Sequence, residues 1–166
     1  MTDEVSISSK TSPTDITENT GSNATVTKSS VPVSQVIKNQ RVVLLVVEDD
    51  KFLRELIVRR LVKEGFSVRE AVDGESGLVA LREDPPHLVL LDLILPGMGG
   101  FDVLEVVHKD PKLSAIPVVV VSNLGQREDV ERARSLGARD FLVKAKYTPA
   151  EIVDRVREIL HDTYIN

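Results

Sequence analysis

Four short stretches of this sequence end in groups able to do chemistry. VVLLVVEDD runs apolar from Val42 to Val47 and then sets Glu48, Asp49 and Asp50 side by side, while HLVLLD ends on Asp92, VVVVS on Ser122 and DFLVK on Lys144. Crowded carboxylates repel, and each opposes ionisation of the next, so such a cluster calls for a cation or a proton. Oxygen ligands with no His or Cys among them suit a hard divalent ion such as Mg2+, which keeps part of its water and shares an oxygen of a phosphoryl group. An ionised carboxylate at Asp92 is a competent nucleophile toward phosphorus and would give an acyl phosphate. The Lys144 ammonium and the Ser122 hydroxyl would then bind the remaining phosphoryl oxygens. Taken singly, each group has a plain structural reading: Asp caps helices, Ser follows strands in turns and Lys faces water. Their concurrence at the ends of apolar runs carries the signal.

These groups can meet only if the runs before them lie side by side. VVLLVV (42–47), FSVREA (66–71), HLVLL (87–91), IPVVVV (116–121) and RDFLVK (139–144) read as strands. Three of them are apolar on both faces, as strands are when helices cover both sides of a parallel sheet. Between them lie helix patterns. Residues 51–64 place Phe52, Leu53, Leu56, Ile57 and Leu61 at spacings of three and four and stop at Gly65, a left-handed cap. A second helix opens on Asp73 and runs through Leu78 and Leu81, a third covers 101–108, and a fourth covers 128–136 before Gly137. Thr148-Pro149-Ala150-Glu151 starts the fifth as a capping box with Pro at the first helical position. The order is (βα)5, an α/β class. Right-handed crossovers give an open, doubly wound, flavodoxin-like sheet of order 2-1-3-4-5, since five units are too few to close a barrel. Ligands in such sheets bind outside the carboxyl ends of the strands, near the switch point between strands 1 and 3, where the polar groups lie.

The 166 residues are 42% hydrophobic and 28% charged, which is globular composition with length for one well-packed domain. Without cysteine there is no disulfide framework, thiolate metal site or cysteine nucleophile, which suits a reducing cytoplasm. The start, MTDEVSISSK, has neither a basic region nor an apolar core, and no apolar run approaches the roughly 18 residues of a membrane helix. A soluble, cytoplasmic protein is expected. A net charge of -5 argues against a broad nucleic-acid surface and for a protein partner or a cation. Residues 1–40 hold fifteen Ser and Thr and follow no helical or strand period, so they are expected to form a disordered tail before a domain over 41–166. His87, His108 and His161 are scattered without ligand spacing, and Gly97-Met98-Gly99-Gly100 follows Pro96 as a turn, lacking the G-x-G-x-x-G spacing of a phosphate loop.

From about Arg41 to Tyr164 the sequence resembles a response-regulator receiver domain, in particular a stand-alone chemotaxis-type receiver. LLVVEDDKFLREL matches the acidic first loop, LVLLDLILPGMGGFDVL the phosphoacceptor strand and loop, VVVVS the hydroxyl-bearing strand and GARDFLVK the lysine strand. A chemotaxis receiver is itself a standard example of the 2-1-3-4-5 order, so fold and resemblance count as one observation. The resemblance implies that Asp92 is phosphorylated by a sensor histidine kinase or a phosphotransfer protein. It implies that Glu48 and Asp49 hold Mg2+ together with Asp92 and the backbone carbonyl of Ile94. Ser122 would bind the phosphoryl group and Lys144 pair with it, while Phe141 is the aromatic that turns inward on activation. Asp50 would cap the first helix or support the metal ligands. The output surface implied is the face of helix 4, strand 5 and helix 5, where Arg127, Arg132, Arg134, Asp140, Lys146 and Asp154 offer charges to a downstream protein, with no direct nucleic acid and no membrane.

Two features depart from the family pattern. Ala145 follows the lysine where the family usually has Pro, and a cis bond before Ala costs about 3 kcal/mol, so a trans peptide and a shifted loop into helix 5 are expected. Two residues after Asp92 and after Ser122 stand Ile94 and Leu124, which have no hydrogen-bonding side chain to orient water, so a long-lived phosphoryl group is expected. The sequence ends at Asn166, just after the fifth helix, which leads to the expectation of a single-domain switch that phosphorylates and dephosphorylates itself without a catalytic output domain. Two other classes fit these residues less well. A phosphohydrolase using aspartyl phosphate lacks its second acid where Ile94 stands. A pseudo-receiver scaffold independent of phosphorylation has no physical need for crowded carboxylates that destabilise it.

Overall fold

The computed structural model describes residues 41–165. Five apolar segments form strands, β1 (Val43–Val47), β2 (Ser67–Ala71), β3 (Leu88–Leu91), β4 (Val118–Ser122) and β5 (Asp140–Val143). All neighbours are parallel, and the sheet order is β2-β1-β3-β4-β5, the doubly wound order expected. The crossovers are α1 (Lys51–Lys63), α2 (Gly74–Glu83), α3 (Gly100–Lys109) and α4 (Arg127–Ser135), and α5 (Pro149–Ile165) follows β5. The expected 1–40 tail and Asn166 lie outside the described residues.

Successive strand residues point to opposite faces, so the continuous apolar runs supply two cores at once. From β1, Leu44 and Val46 join Ile57 and Leu61 of α1 and Ile152, Val153 and Val156 of α5. Leu45 and Val47 join Leu78 and Leu81 of α2, Val103, Leu104 and Val107 of α3 and Ala133 of α4. Two helices therefore cover one face and three the other.

Local chemistry sets the helix starts. Asp50 accepts from the Leu53 N–H at 3.0 Å and Asp73 from the Ser76 N–H at 2.7 Å, each satisfying a donor that a helix leaves free. The capping box closes as expected, with the Thr148 N–H on Glu151 Oε2 at 2.7 Å and the Glu151 N–H on Thr148 Oγ1 at 3.3 Å. Gly65 leaves α1 at φ 93°, a conformation a Cβ would disfavour.

Several boundaries differ from the sequence reading by a residue or two, and two of these bear on the site. Strand β4 starts at Val118 rather than 116, because the Ile116 N–H is turned to the Leu113 carbonyl and Pro117 has no N–H to give a ladder. It then runs through Ser122, so the hydroxyl stands on the strand itself. Lys144 is not the end of β5, which stops at Val143; it opens a 3-10 turn over Lys144–Lys146. Among the described residues, no helix is long and apolar enough to cross a membrane.

Candidate functional site

Parallel pairing carries the acids to one edge. Val47 of β1 pairs with Leu91 of β3 and Ala71 of β2, and Asp92 N–H to Val47 O and Glu48 N–H to Ala71 O, both 3.0 Å, continue the ladder one step further. Glu48 and Asp92 are thus the next residues on adjacent strands, whose spacing is about 4.8 Å. Carboxylate oxygens of Glu48, Asp49 and Asp92 lie within 4.8 Å of one another, the one grouping among the described residues with the makings of a metal site. Glu48 is 3% and Asp92 4% exposed, whereas Asp49 faces water.

Between the two buried acids lies Lys144. Its Nζ donates to Asp92 Oδ2 at 2.6 Å and pairs with Glu48 Oε2 at 2.8 Å, with the lysine side chain 11% exposed. Replacement of the family's proline by Ala145 therefore leaves the lysine in reach of both acids. Burial pushes the Glu48 carboxyl above its usual range, and the neighbouring Asp92 charge adds to this. The Lys144 ammonium and the Asp50 N–H oppose the rise without cancelling it. Burial alone would lower the Lys144 pKa, but its hydrogen bonds and charge pairing with Asp92 and Glu48 outweigh burial and hold the ammonium more firmly than usual. Three carboxylates face one ammonium, so two negative charges remain uncompensated. A divalent cation fits that deficit, and the all-oxygen donors suit Mg2+.

The remaining predicted residues surround this centre in different ways. Ile94 donates its N–H to Asp92 Oδ1 at 3.1 Å, fixing the carboxylate from the side opposite Lys144, while its side chain is 53% exposed. Ser122 is fully buried, its hydroxyl accepting from the Leu124 N–H at 3.4 Å. Phe141 is packed into the core cluster shared with α3 and α4. Asp50 serves as the α1 cap, and its N–H in turn donates to Glu48 Oε1 at 3.2 Å. Gly100, at the start of α3, packs so closely on the loop after β3 that a Cβ there would collide with the Asp92 carbonyl oxygen.

Sequence reasoning missed Arg54. Its Nη1 donates to the carbonyls of Glu48, at 2.7 Å, and Asp49, at 3.3 Å, while its Nε pairs with Glu70 of β2 at 3.1 Å. Backbone carbonyls are present at every residue, so no spacing in the sequence marks them as its targets.

The chain was compared with known proteins. Residues 44–157 match the family model described as the response regulator receiver domain. A DNA-binding response regulator, MtrA of Mycolicibacterium paratuberculosis, is 42% identical over 114 residues, covering 69% of this chain and 49% of that protein. The chain spans about half the length of the curated relatives it matches first. A crystal structure of a protein described as a response regulator from Chloroflexus aurantiacus is 30% identical, with a TM-score of 0.68, over 73% of this chain and 98% of the other. The phosphorylated cyanobacterial phytochrome response regulator RcpA is 28% identical, with a TM-score of 0.65, over 74% and 93%. With the doubly wound fold, the acid cluster at its switch point and a family match across most of the described residues, this chain belongs to the response regulator receiver family, whose domains act in two-component signalling.

Proposed function

We propose that residues 41–166 form a phosphorylation switch that accepts a phosphoryl group on Asp92 in a Mg2+-dependent reaction, donated by a sensor histidine kinase or a phosphotransfer protein. The observation that carries this reading is the Lys144 ammonium held between Asp92 and Glu48 in a cluster with a deficit of two positive charges. Glu48, Asp49 and Asp92, with the Ile94 carbonyl, would hold Mg2+, which supplies positive charge against the oxygens of the transferred group. An Asp92 oxygen attacks phosphorus, the bond from phosphorus to the donor breaks, and its electron pair leaves with the donor. The Lys144 ammonium, already at Asp92 Oδ2, then pairs with a phosphoryl oxygen, and the Ser122 hydroxyl donates to another. Phosphorylation of the relative RcpA supports the same chemistry here.

The output follows as new contacts at the phosphoryl group shift Ser122 and Phe141, and with them the face of α4, β5 and α5, toward a form that binds a downstream protein in the cytoplasm. Residues 1–40 are a Ser/Thr-rich segment that precedes this domain in the sequence. A second reading is favoured by MtrA, which is named a DNA-binding regulator: the switch would then control DNA binding rather than protein docking alone. The test is an NMR titration with Mg2+ and beryllium fluoride, a mimic of the aspartyl phosphate. The proposal expects metal-dependent shifts at Asp92, Ser122 and Lys144 that extend to Phe141 and α4. Shifts independent of Mg2+, or none at these residues, would overturn it.

A further inference from the structure

We propose that Arg54 is a positioning residue for the metal ligand Asp49, acting through the backbone; the inference rests on the reading of the acid cluster as a Mg2+ site. Asp49 is exposed, and among the described residues its carboxylate makes no hydrogen bond, so only its backbone fixes where that carboxylate points. Arg54 grips that backbone on both sides. Its Nη1 binds the carbonyl of Glu48, which belongs to the peptide before Asp49, and the carbonyl of Asp49, which belongs to the peptide after it. Two peptide planes held by one planar guanidinium leave Asp49 little freedom in φ and ψ. The guanidinium is fixed in turn. Its Nε is paired with Glu70, which stands opposite Val46 in the β1–β2 register, and the Arg54 N–H closes the first turn of α1 on the Asp50 carbonyl at 2.9 Å. The side chain of Arg54 is only 12% exposed, so water competes poorly for these bonds.

A positive charge beside a cation site repels the cation, and by charge alone Arg54 opposes Mg2+. Its geometry acts in the other direction, because a ligand loop already in place spares the ordering entropy on binding. Lysine separates the two effects, since it keeps the charge and loses the Nε–H that Glu70 holds, and with it the fixed placement of the donor to the two carbonyls.

The test is calorimetric titration of Mg2+ into the full chain, with amide exchange of the metal-free protein as a second readout. Arg54→Lys is expected to weaken Mg2+ binding by about tenfold, the scale of losing a partner that orients a metal ligand. It should also speed exchange at Asp49 and Asp50 while leaving β3 and β4 unchanged. Glu70→Gln, at a residue that pairs with Arg54 and stands outside the acid cluster, should shift both readouts the same way by less, and it tests the inference even if the Arg54 variant fails to fold. Wild-type binding with unchanged affinity in both variants overturns the role of Arg54 alone. A wild-type chain that binds no Mg2+ overturns the site reading and this inference with it.

Discussion

Lys144 and Glu48 set the properties of the site one residue at a time. The ammonium occupies carboxylate oxygens that the cation would also need, so it stabilises the metal-free site and competes with the metal. Lys144→Met should therefore tighten Mg2+ binding by about tenfold while lowering stability in EDTA; a titration showing weaker binding would contradict this competition. For Glu48 the folded-state carboxyl holds its proton above the ordinary value of 4.5. A group shifted this way stabilises the fold when protonated, and that contribution is lost as pH rises through the folded value. Denaturation in EDTA should accordingly show Glu48→Gln gaining stability relative to wild type as pH rises from about 4.5 to neutrality. A difference that stays flat or shrinks across that window counts against burial as the cause. Ile94 and Leu124 bear on lifetime. Ile94 offers only an exposed apolar side chain beside Asp92, which cannot orient water, so Ile94→Asn combined with Leu124→Glu should speed loss of the phosphoryl group, and a decay rate near that of wild type would contradict a role for water orientation.

At the level of elements, Asp50 distinguishes a cap from a ligand. It is the third acid of the opening triplet, yet its carboxylate serves the Leu53 N–H and stands outside the cluster formed by Glu48, Asp49 and Asp92. Asp50→Ala should lower stability by about 1 kcal/mol and change Mg2+ affinity by no more than about twofold, measured by urea denaturation and calorimetry. Much at this scale was legible beforehand, because caps and periods are local: Asp73, Gly65 and the Thr148 to Glu151 box each act within four residues. The apolar runs also gave the parallel sheet, since only strands covered on both faces can bury every residue, as β3 and β4 do. What escaped depends on distant partners. The fork from Arg54 to two carbonyls and to Glu70 spans sixteen residues and uses groups common to any chain. The 3-10 turn at Lys144 ends the strand before the lysine although DFLVK reads as one unbroken run.

Across the whole molecule, one face of the sheet rests on α1 and α5 and the other on α2, α3 and α4, with the acid cluster at the edge where β1 and β3 end. Phe141 belongs to the three-helix side, in one buried cluster with Ala133 of α4 and with Val103, Leu104 and Val107 of α3. Several charges expected to serve a partner on the α4, β5 and α5 face are already engaged within the chain. Arg127 pairs with Glu131 at 2.6 Å, Asp140 with Arg155 at 2.5 Å, and Arg132 lies 4.1 Å over the Phe101 ring. The Arg127–Glu131 pair is exposed and worth little, so it can be exchanged for partner contacts at small cost.

Phosphorylation of Asp92 is the step at the centre of the proposed switch. The most direct measurement is intact-mass spectrometry of the full chain after incubation with Mg2+ and acetyl phosphate, beside an EDTA sample and the Asp92→Ala variant. The account predicts a single phosphoryl adduct that hydroxylamine removes, present with Mg2+ and absent from both controls. A chain that binds Mg2+ but takes up no phosphoryl group, or an adduct that persists in Asp92→Ala, would contradict it.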